Sequence, residues 1–323
     1  DFSLSLWYKV FTMNQRRPNF FSRLIGLLLL CLSSLPLVGH FDHSTRVVVL
    51  TFNIRYLNLR DGQNAWPFRQ DKVVTTLKFH QVDIAGLQEV LWPQLNDLSR
   101  ALPEYSWLGV GREDGQKKGE FNPIFYRRDR FEVVDWGTFW LAEKSDFPGE
   151  VGWDAACPRI VTWARLRTLA QGREFYFLNT HFDHVGEKAR QESARLLKKW
   201  LLQRISGKKW PVVLLGDFNS SPEEKTYYIL TTSQGDKLSL LDAYHVTRLP
   251  IYGSTFTFNG FQDKIFPGQR IDHIFVLNTG PVLRFGILSV RWDGRYTSDH
   301  FPVLAEIDLF PSPDTQNDRG QKK

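Results

Sequence analysis

Val212-Val213-Leu214-Leu215-Gly216-Asp217-Phe218-Asn219 decides the reading of this chain. The apolar, partly β-branched first half predicts a buried strand. The second half places an acid and an amide where that strand runs out, the usual place for reactive side chains in layered α/β proteins. The same pattern recurs along the chain. Thr51-Phe52-Asn53 follows Val47-Val48-Val49-Leu50, Gln88-Glu89 follows Ile84, and Thr180-His181 follows Phe177-Leu178. Ser298-Asp299-His300 precedes a C-terminal strand, and Ile271-Asp272-His273-Ile274 places an acid inside a strand-like run. Polar groups that recur at strand ends point to one shared site.

Length and composition frame it. With 323 residues and 42% apolar content, the chain can bury a large core in one domain of about 270 residues. That domain is expected over residues 45–309. Its 11 Trp and 25 Phe suit sheets packed through bulky inward side chains. No Gly/Ser-rich linker, charge block or internal repeat divides the middle. Apolar spacing predicts helices over 69–80, 94–102 and 187–205, and strands over 131–139, 160–169 and 174–179. The last two strands are joined at Gln171-Gly172. Strands punctuated by helices, with meander segments between, predict sheets covered by helices, not an all-parallel barrel.

Residues 1–40 read differently. Met13 is the single methionine, so residues 1–12 read as translated upstream sequence or a mis-set start. Arg16, Arg17 and Arg23 then precede the apolar run Leu24 to Val38, the order of a secretory signal. The run is short of the roughly 20 apolar residues of a membrane-spanning helix. Val38-Gly39-His40 is a tolerable cleavage site, and an uncleaved N-terminal anchor stays open. An exported protein, periplasmic or extracellular, is the expectation, with membrane association only through this segment. Cys31 lies inside the signal, which leaves Cys157 alone in the processed chain and no intramolecular disulfide. Residues 1–39 carry four Lys/Arg against one Asp, so the rest keeps +3 of the total +6. That is no strong nucleic-acid footprint. Residues 310–323, polar and Pro-containing, are expected to be a disordered tail.

The polar residues suggest phosphoester chemistry. Glu89 and Asn53 offer the hard oxygens that suit Mg²⁺. Asp217 and Asn219, two apart on an extended segment, are expected to point to the same side. There a carboxylate orients or deprotonates water beside an amide that holds a phosphoryl oxygen. Asp272 is suited to fixing the ring of a working histidine. His181 is suited to donating to charge that develops on phosphate.

The ordered set resembles the endonuclease/exonuclease/phosphatase superfamily, which includes DNase I and the nocturnin-like deadenylases. It comprises Asn53, Gln88-Glu89, Asn179-Thr180-His181, Gly216-Asp217-Phe218-Asn219, Ile271-Asp272-His273-Ile274 and Ser298-Asp299-His300-Phe301-Pro302-Val303. Asn179 to Gly186, Trp66-Pro67-Phe68-Arg69 and Gly119 to Tyr126 are similar to the deadenylase-like branch and its secreted bacterial relatives. The resemblance implies a DNase I-like, four-layer α/β/β/α sandwich of two packed, mainly antiparallel sheets flanked by helices. It further implies Glu89 as the main Mg²⁺ ligand, assisted by Asn53, with Mn²⁺ able to substitute. Asp217 would align the attacking water, Asn219 would contact the scissile phosphate, and His181 would stabilise its oxygens. His300 would be the acid–base group oriented by Asp272, and Asp299 would lie near the metal or the phosphate. Asp183 and His184 either face substrate or brace a loop. Arg159 and Arg190 either bind phosphate or, the preferred reading, pair with loop acids.

Other hydrolase patterns fit less well. Thr180-His181-Phe182-Asp183-His184 is similar to a metallo-β-lactamase run but lacks a further histidine, and no Gly-x-Ser-x-Gly elbow occurs. Asn219 comes too early for the Gly-Asp-x-x-Asp of dinuclear phosphoesterases, and clustered zinc ligands are missing. The expectation is Mg²⁺-dependent hydrolysis of a phosphoester by in-line attack of water, of the phosphodiesterase or nuclease type. Exported lipid-headgroup or sugar-phosphate hydrolysis is the alternative. A catalytically silent binding module is the competing reading from another class. Nucleic acid, a lipid headgroup or a sugar phosphate is the expected substrate, and no obligate protein partner is evident. Specificity is expected in the aromatic loops Trp140 to Pro158 and Tyr252 to Gln269.

Overall fold

The computed structural model describes residues 45–233, 235, 238–262 and 269–310. The expected signal or anchor within residues 1–40 and all of the tail beyond Phe310 lie outside them. In chain order the strands are β1 (Arg46–Asn53), β2 (Ile84–Gln88), β3 (Tyr105–Leu108), β4 (Ile124–Arg127) and β5 (Phe131–Trp140). Then come β6 (Ile160–Thr168), β7 (Glu174–His181), β8 (Val212–Asp217), β9 (Leu241–Asp242) and β10 (Tyr252–Gly253). The series ends with β11 (Asp272–Leu277), β12 (Val282–Ile287), β13 (Arg291–Trp292), β14 (Arg295–Tyr296) and β15 (Val303–Asp308). The helices are α1 (Gln70–Phe79), α2 (Trp92–Ala101), α3 (Glu187–Ile205), α4 (Lys225–Thr231) and α5 (Ala243–Val246).

Side-chain alternation along these strands builds four layers. In β8, Val213 and Leu215 enter a core shared with Phe175 and Phe177 of β7 and Val49 and Val303 of the other sheet. Val212 and Leu214 point the opposite way, against Leu197 and Leu201 of α3. In β1, Val47 and Val49 face the second sheet, while Leu50 and Phe52 pack on Val73, Leu77, Leu95 and Leu98 of α1 and α2. The order is therefore α1/α2, sheet, sheet, α3/α4, as the resemblance implies. Phe310 also lies in the inter-sheet core, edge-on to Phe175 at 6.3 Å, so this first residue of the expected tail belongs to the fold.

One sheet has seven strands in the order β10-β12-β15-β1-β2-β4-β3, and the other six in the order β5-β6-β7-β8-β11-β9. Both are mixed: β1–β2, β7–β8 and β10–β12 run parallel and the remaining neighbours antiparallel. A parallel pair needs a crossover, and α1 and α3 are the crossovers of the first two. α3 has the predicted bounds, and Asp154 caps it from a distant loop by accepting from Ala189 N at 2.6 Å. α2 starts earlier than its apolar spacing predicts because Pro93 fits a first helical turn. β7 continues past Asn179 and carries His181 at its end. Gly86 is where the sheets approach most tightly: a Cβ there would lie 2.2 Å from Leu215 Cδ1 and 2.7 Å from Asn179 Cγ. No helix among the described residues is long and apolar enough to cross a membrane.

Candidate active site

The inward-facing positions turn from apolar to polar at one end of the sandwich. In β1 Val47 and Val49 give way to Thr51 and Asn53, and in β2 Ile84 and Gly86 give way to Gln88. Asn179 and His181 in β7, Asp217 in β8 and Asp272 at the start of antiparallel β11 complete the change. Register then sets Asp217 between neighbours, level with His181 on one side and Asp272 on the other. A buried polar floor links the sheets beneath. Gln88 Nε2 donates to Asn179 Oδ1 at 2.7 Å, and Asn179 Nδ2 donates to Leu87 O and Pro123 O at 2.8 and 2.9 Å. Sequence reading named Gln88 and Asn179 only within their runs and missed this role. Alternating Asn and Gln among inward apolar residues was the available signal.

Asp217 is the centre of the cluster. Asn53 Nδ2 donates to its Oδ2 at 3.0 Å, and Asn219 N to its Oδ1 at 2.9 Å. His181 Nε2 and His300 Nε2 lie 3.4 and 3.7 Å from Oδ2. Burial, and then the charge of Asp272, push the Asp217 carboxyl up to about 7 against the pull of His300. His300 is wholly buried, which by itself favours the neutral ring. Asp272, 2.9 Å from Nδ1, and Asp217 outweigh this and hold its pKa well above the ordinary histidine value. The edge of Phe258 packs on the His300 ring at a centroid distance of 5.0 Å.

Asn219 departs from expectation. The chain does not stay extended after Asp217 but turns left-handed, with φ of 45° at Asn219, closed by the Asn219 N to Asp217 bond. Asn219 Nδ2 donates to Phe182 O at 3.0 Å and to His181 Nε2 at 3.1 Å. Both amide hydrogens are used within the protein, so Asn219 positions His181 instead of presenting its amide to phosphate. The His181 proton accordingly sits on Nδ1, a buried atom with no hydrogen-bond partner. Burial, followed by the charges of Arg159 and Arg112, keeps His181 neutral, well below its ordinary pKa.

A second carboxylate pair flanks the first cluster. β2 is followed by a left-handed residue, Glu89, with φ of 61°, a conformation uncommon outside glycine. It aims the carboxylate at Asn53 Nδ2 (3.0 Å, to Oε1) and Tyr56 N (3.1 Å, to Oε2). Asp299 is buried, and its carboxyl is pushed up by burial and by the Glu89 charge, in opposition to His300. Arg55 sits between the two, 3.9 Å from Glu89 and 3.8 Å from Asp299. Two mutually repelling carboxylates with hard oxygens fit a divalent cation. Asn53 braces the two acids: its NH₂ bridges Glu89 and Asp217, and its Oδ1 accepts from Arg55 N at 3.0 Å, one of the two bonds an amide oxygen can accept. Asp217, Asp272 and His300 also place donor atoms within 4.8 Å of one another. Arg55 escaped sequence reading, and Arg69 was named only within the Trp66-Pro67-Phe68-Arg69 run. Arg69 is buried and donates to Asn64 O, Arg55 O and Thr297 O at 2.6, 2.9 and 3.2 Å, and to Ile54 O. It ties the turn after β1 to the Ser298-Asp299-His300 segment.

The four candidate substrate residues fall beside this centre. Asp183 Oδ1 accepts from Val185 N and Gly186 N at 2.9 and 2.7 Å, and Oδ2 from Ala156 N and Arg159 Nε at 3.1 and 3.3 Å. Burial opposes its charge, but these donors hold the carboxyl below its ordinary pKa. Asp183 braces loops and does not face substrate, because its lone pairs are taken. Arg190 likewise ties Asp183 O (3.1 Å) to Glu224 (3.7 Å). Arg159 Nη2 meets the exposed His184 ring at 2.9 Å. Cys157, Asp183 and His184 are close enough to share an ion, and Arg159 bonds to both Asp183 and His184 there. In the aromatic loops Trp140 is buried and donates to Arg112 O at 2.6 Å, whereas Phe258 walls the cleft. Residues 263–268 of the second loop lie outside the described residues.

Known proteins share this fold. The endonuclease/exonuclease/phosphatase family matches residues 50–300. A family member from Bacteroides vulgatus is 42% identical, covering 82% of this chain and 99% of that one, with a TM-score of 0.77. The mannosyl-6-phosphatase Bt3783 of Bacteroides thetaiotaomicron is 39% identical over 81% of this chain and 99% of that one, with a TM-score of 0.75. Nocturnin of Drosophila melanogaster is 29% identical over 197 residues, 57% of this chain, and the match spans only 28% of that curated relative. The strand-end acids, amides and histidines, the two helix-covered sheets and the extent of the family match lead to one assignment: the chain belongs to the endonuclease/exonuclease/phosphatase family of phosphoester hydrolases.

Proposed function

We propose that this chain hydrolyses a sugar phosphate monoester with the help of Mg²⁺, or Mn²⁺ in its place. The observation that carries the reading is the pairing of two acid clusters bridged by the Asn53 amide. Asp217 with His300–Asp272 forms one, and Glu89 with Asp299 the other. Similarity to a mannosyl-6-phosphatase over 99% of that protein favours a sugar phosphate over nucleic acid. The modest net charge of +6 agrees with this choice.

Glu89 and Asp299 would hold the cation, which when bound supplies Lewis-acid polarisation of the phosphoryl oxygen and stabilisation of the leaving oxygen. Asp217, with a pKa near neutrality, orients water and takes its proton. Neutral His181 donates from Nδ1–H to a phosphoryl oxygen. Protonated His300, its ring fixed by Asp272, stabilises charge on the phosphoryl group and protonates the departing alkoxide. Phosphate release from a hexose 6-phosphate, set against bis-p-nitrophenyl phosphate and single-stranded RNA, tests the choice. Faster turnover of RNA or of the diester would overturn the monoester assignment. The basic residues before the apolar run Leu24 to Val38 further support export. Recovery of the full chain only in cytosol on cell fractionation would refute it.

A further inference from the structure

Next to the acid clusters lies a group of charged side chains that the proposed reaction leaves unused. The segment from Arg112 to Glu120 folds back on itself, with Arg112 N donating to Glu120 O at 3.0 Å and Glu113 N to Lys118 O at 3.1 Å. Phe121 then pairs with Val90 through both backbone groups, at 2.8 and 3.3 Å, and sends its ring into the α1/α2 core. Alternation turns Glu120 and Asn122 to the other face, between the sheets. Asn122 bears this out by donating to Ile160 O of β6 at 3.0 Å. Arg159 immediately precedes Ile160, and Leu141 N donates to its carbonyl at 2.7 Å.

The Arg112 guanidinium grips Glu120 in a two-pronged pair, at 2.7 and 3.0 Å, and both side chains are only half-buried. Arg112 Nε and Arg159 Nη1, like His181 Nδ1, are buried with no hydrogen-bond partner. Buried donors of this kind are rare unless something outside the chain satisfies them. The Val90–Phe121 bridge brings the Glu120 segment alongside Glu89, and Arg159 pairs at 3.3 Å with Asp183, two residues past His181, so the group adjoins the proposed phosphate position. A site for a second phosphate would not carry a carboxylate beside Glu89. A neutral polyol suits it, since each hydroxyl accepts from a guanidinium and donates to a carboxylate.

We propose that Arg112, Glu120 and Arg159 form a subsite for the hydroxyl groups of the sugar whose phosphate is hydrolysed. The inference rests on the phosphoester-hydrolase reading above. The test compares a hexose 6-phosphate with p-nitrophenyl phosphate, which carries no hydroxyl groups on its leaving group, using the full chain with Mg²⁺. Glu120→Gln and Arg112→Lys should each raise KM for the hexose phosphate by about tenfold or more. Hydrolysis of p-nitrophenyl phosphate should stay near wild type. Equal losses on both substrates would reduce the pair to a brace of the 112–120 turn and overturn the subsite. Unchanged KM for the hexose phosphate would do the same. If Arg112→Lys loses its melting transition, the nearly isosteric Glu120→Gln decides. Wild type active on p-nitrophenyl phosphate without preference for the sugar overturns the subsite alone. Wild type inactive on every phosphoester overturns the reading beneath it as well.

Discussion

Replacing Asp272 by asparagine probes the proposed proton economy of the cluster. Asp272 Oδ2 lies 2.9 Å from His300 Nδ1, and both residues are buried, so the bond is charge-assisted and little screened. Such bonds contribute ~1.5–3 kcal/mol, or about 1–2 pKa units at roughly 1.36 kcal/mol per unit. The sign follows from the charges. His300 is held above its ordinary value by Asp272 and Asp217 against burial, so losing the Asp272 charge lowers it. Asp217 is raised by burial and then by Asp272, so its pKa falls too. The reaction as proposed needs Asp217 ionised and His300 protonated. The pH profile of kcat/KM should therefore rise through about 7 in wild type and fall on the alkaline side as His300 loses its proton. In Asp272→Asn both limbs should move to lower pH, the alkaline one by about 1–2 units. The assay is initial phosphate release across a buffered pH series at saturating Mg²⁺. An alkaline limb that stays in place, or moves upward, would refute the role given to Asp272.

Two further outcomes follow from the geometry. Gly86→Ala forces a Cβ to within 2.2 Å of Leu215 Cδ1 and should destabilise the fold by ~1–3 kcal/mol, read from the urea midpoint; wild-type stability would contradict the close sheet contact. Glu89→Gln removes one of two repelling carboxylates and should raise the Mg²⁺ concentration for half-maximal rate by on the order of tenfold or more; an unchanged Mg²⁺ response would move the cation elsewhere.

The layered fold and the approximate place of the site were legible because both depend on local pattern. Val212 to Leu215 announces a strand buried on both faces, and the acid after it marks the polar end of the sandwich. Helix α3 was legible to the residue because its apolar face repeats over many turns. What escaped is set by long-range register and turn geometry. The left-handed turns at Glu89 and Asn219 re-aim side chains that alternation would send elsewhere. The direction of the Asn53 amide depends on Glu89, Asp217 and the Arg55 backbone together, partners up to 164 positions away in sequence. Glu120 was named only within the Gly119 to Tyr126 run and Arg112 not at all, because their pairing at 2.7 and 3.0 Å depends on the fold of the 112–120 turn. Trp140 pointed to a substrate loop, yet it is buried against Arg112 O. An aromatic residue in a loop does not reveal which way it faces.

The central claim, hydrolysis of a phosphoester dependent on a divalent cation held by Glu89 and Asp299, meets its most direct test in one titration. Phosphate release from a hexose 6-phosphate by the purified full chain is followed as purified, after EDTA, and after Mg²⁺ is added back in excess. The account predicts loss of activity in EDTA and its return with Mg²⁺ or Mn²⁺ but not with Na⁺. Full activity in chelator would contradict it.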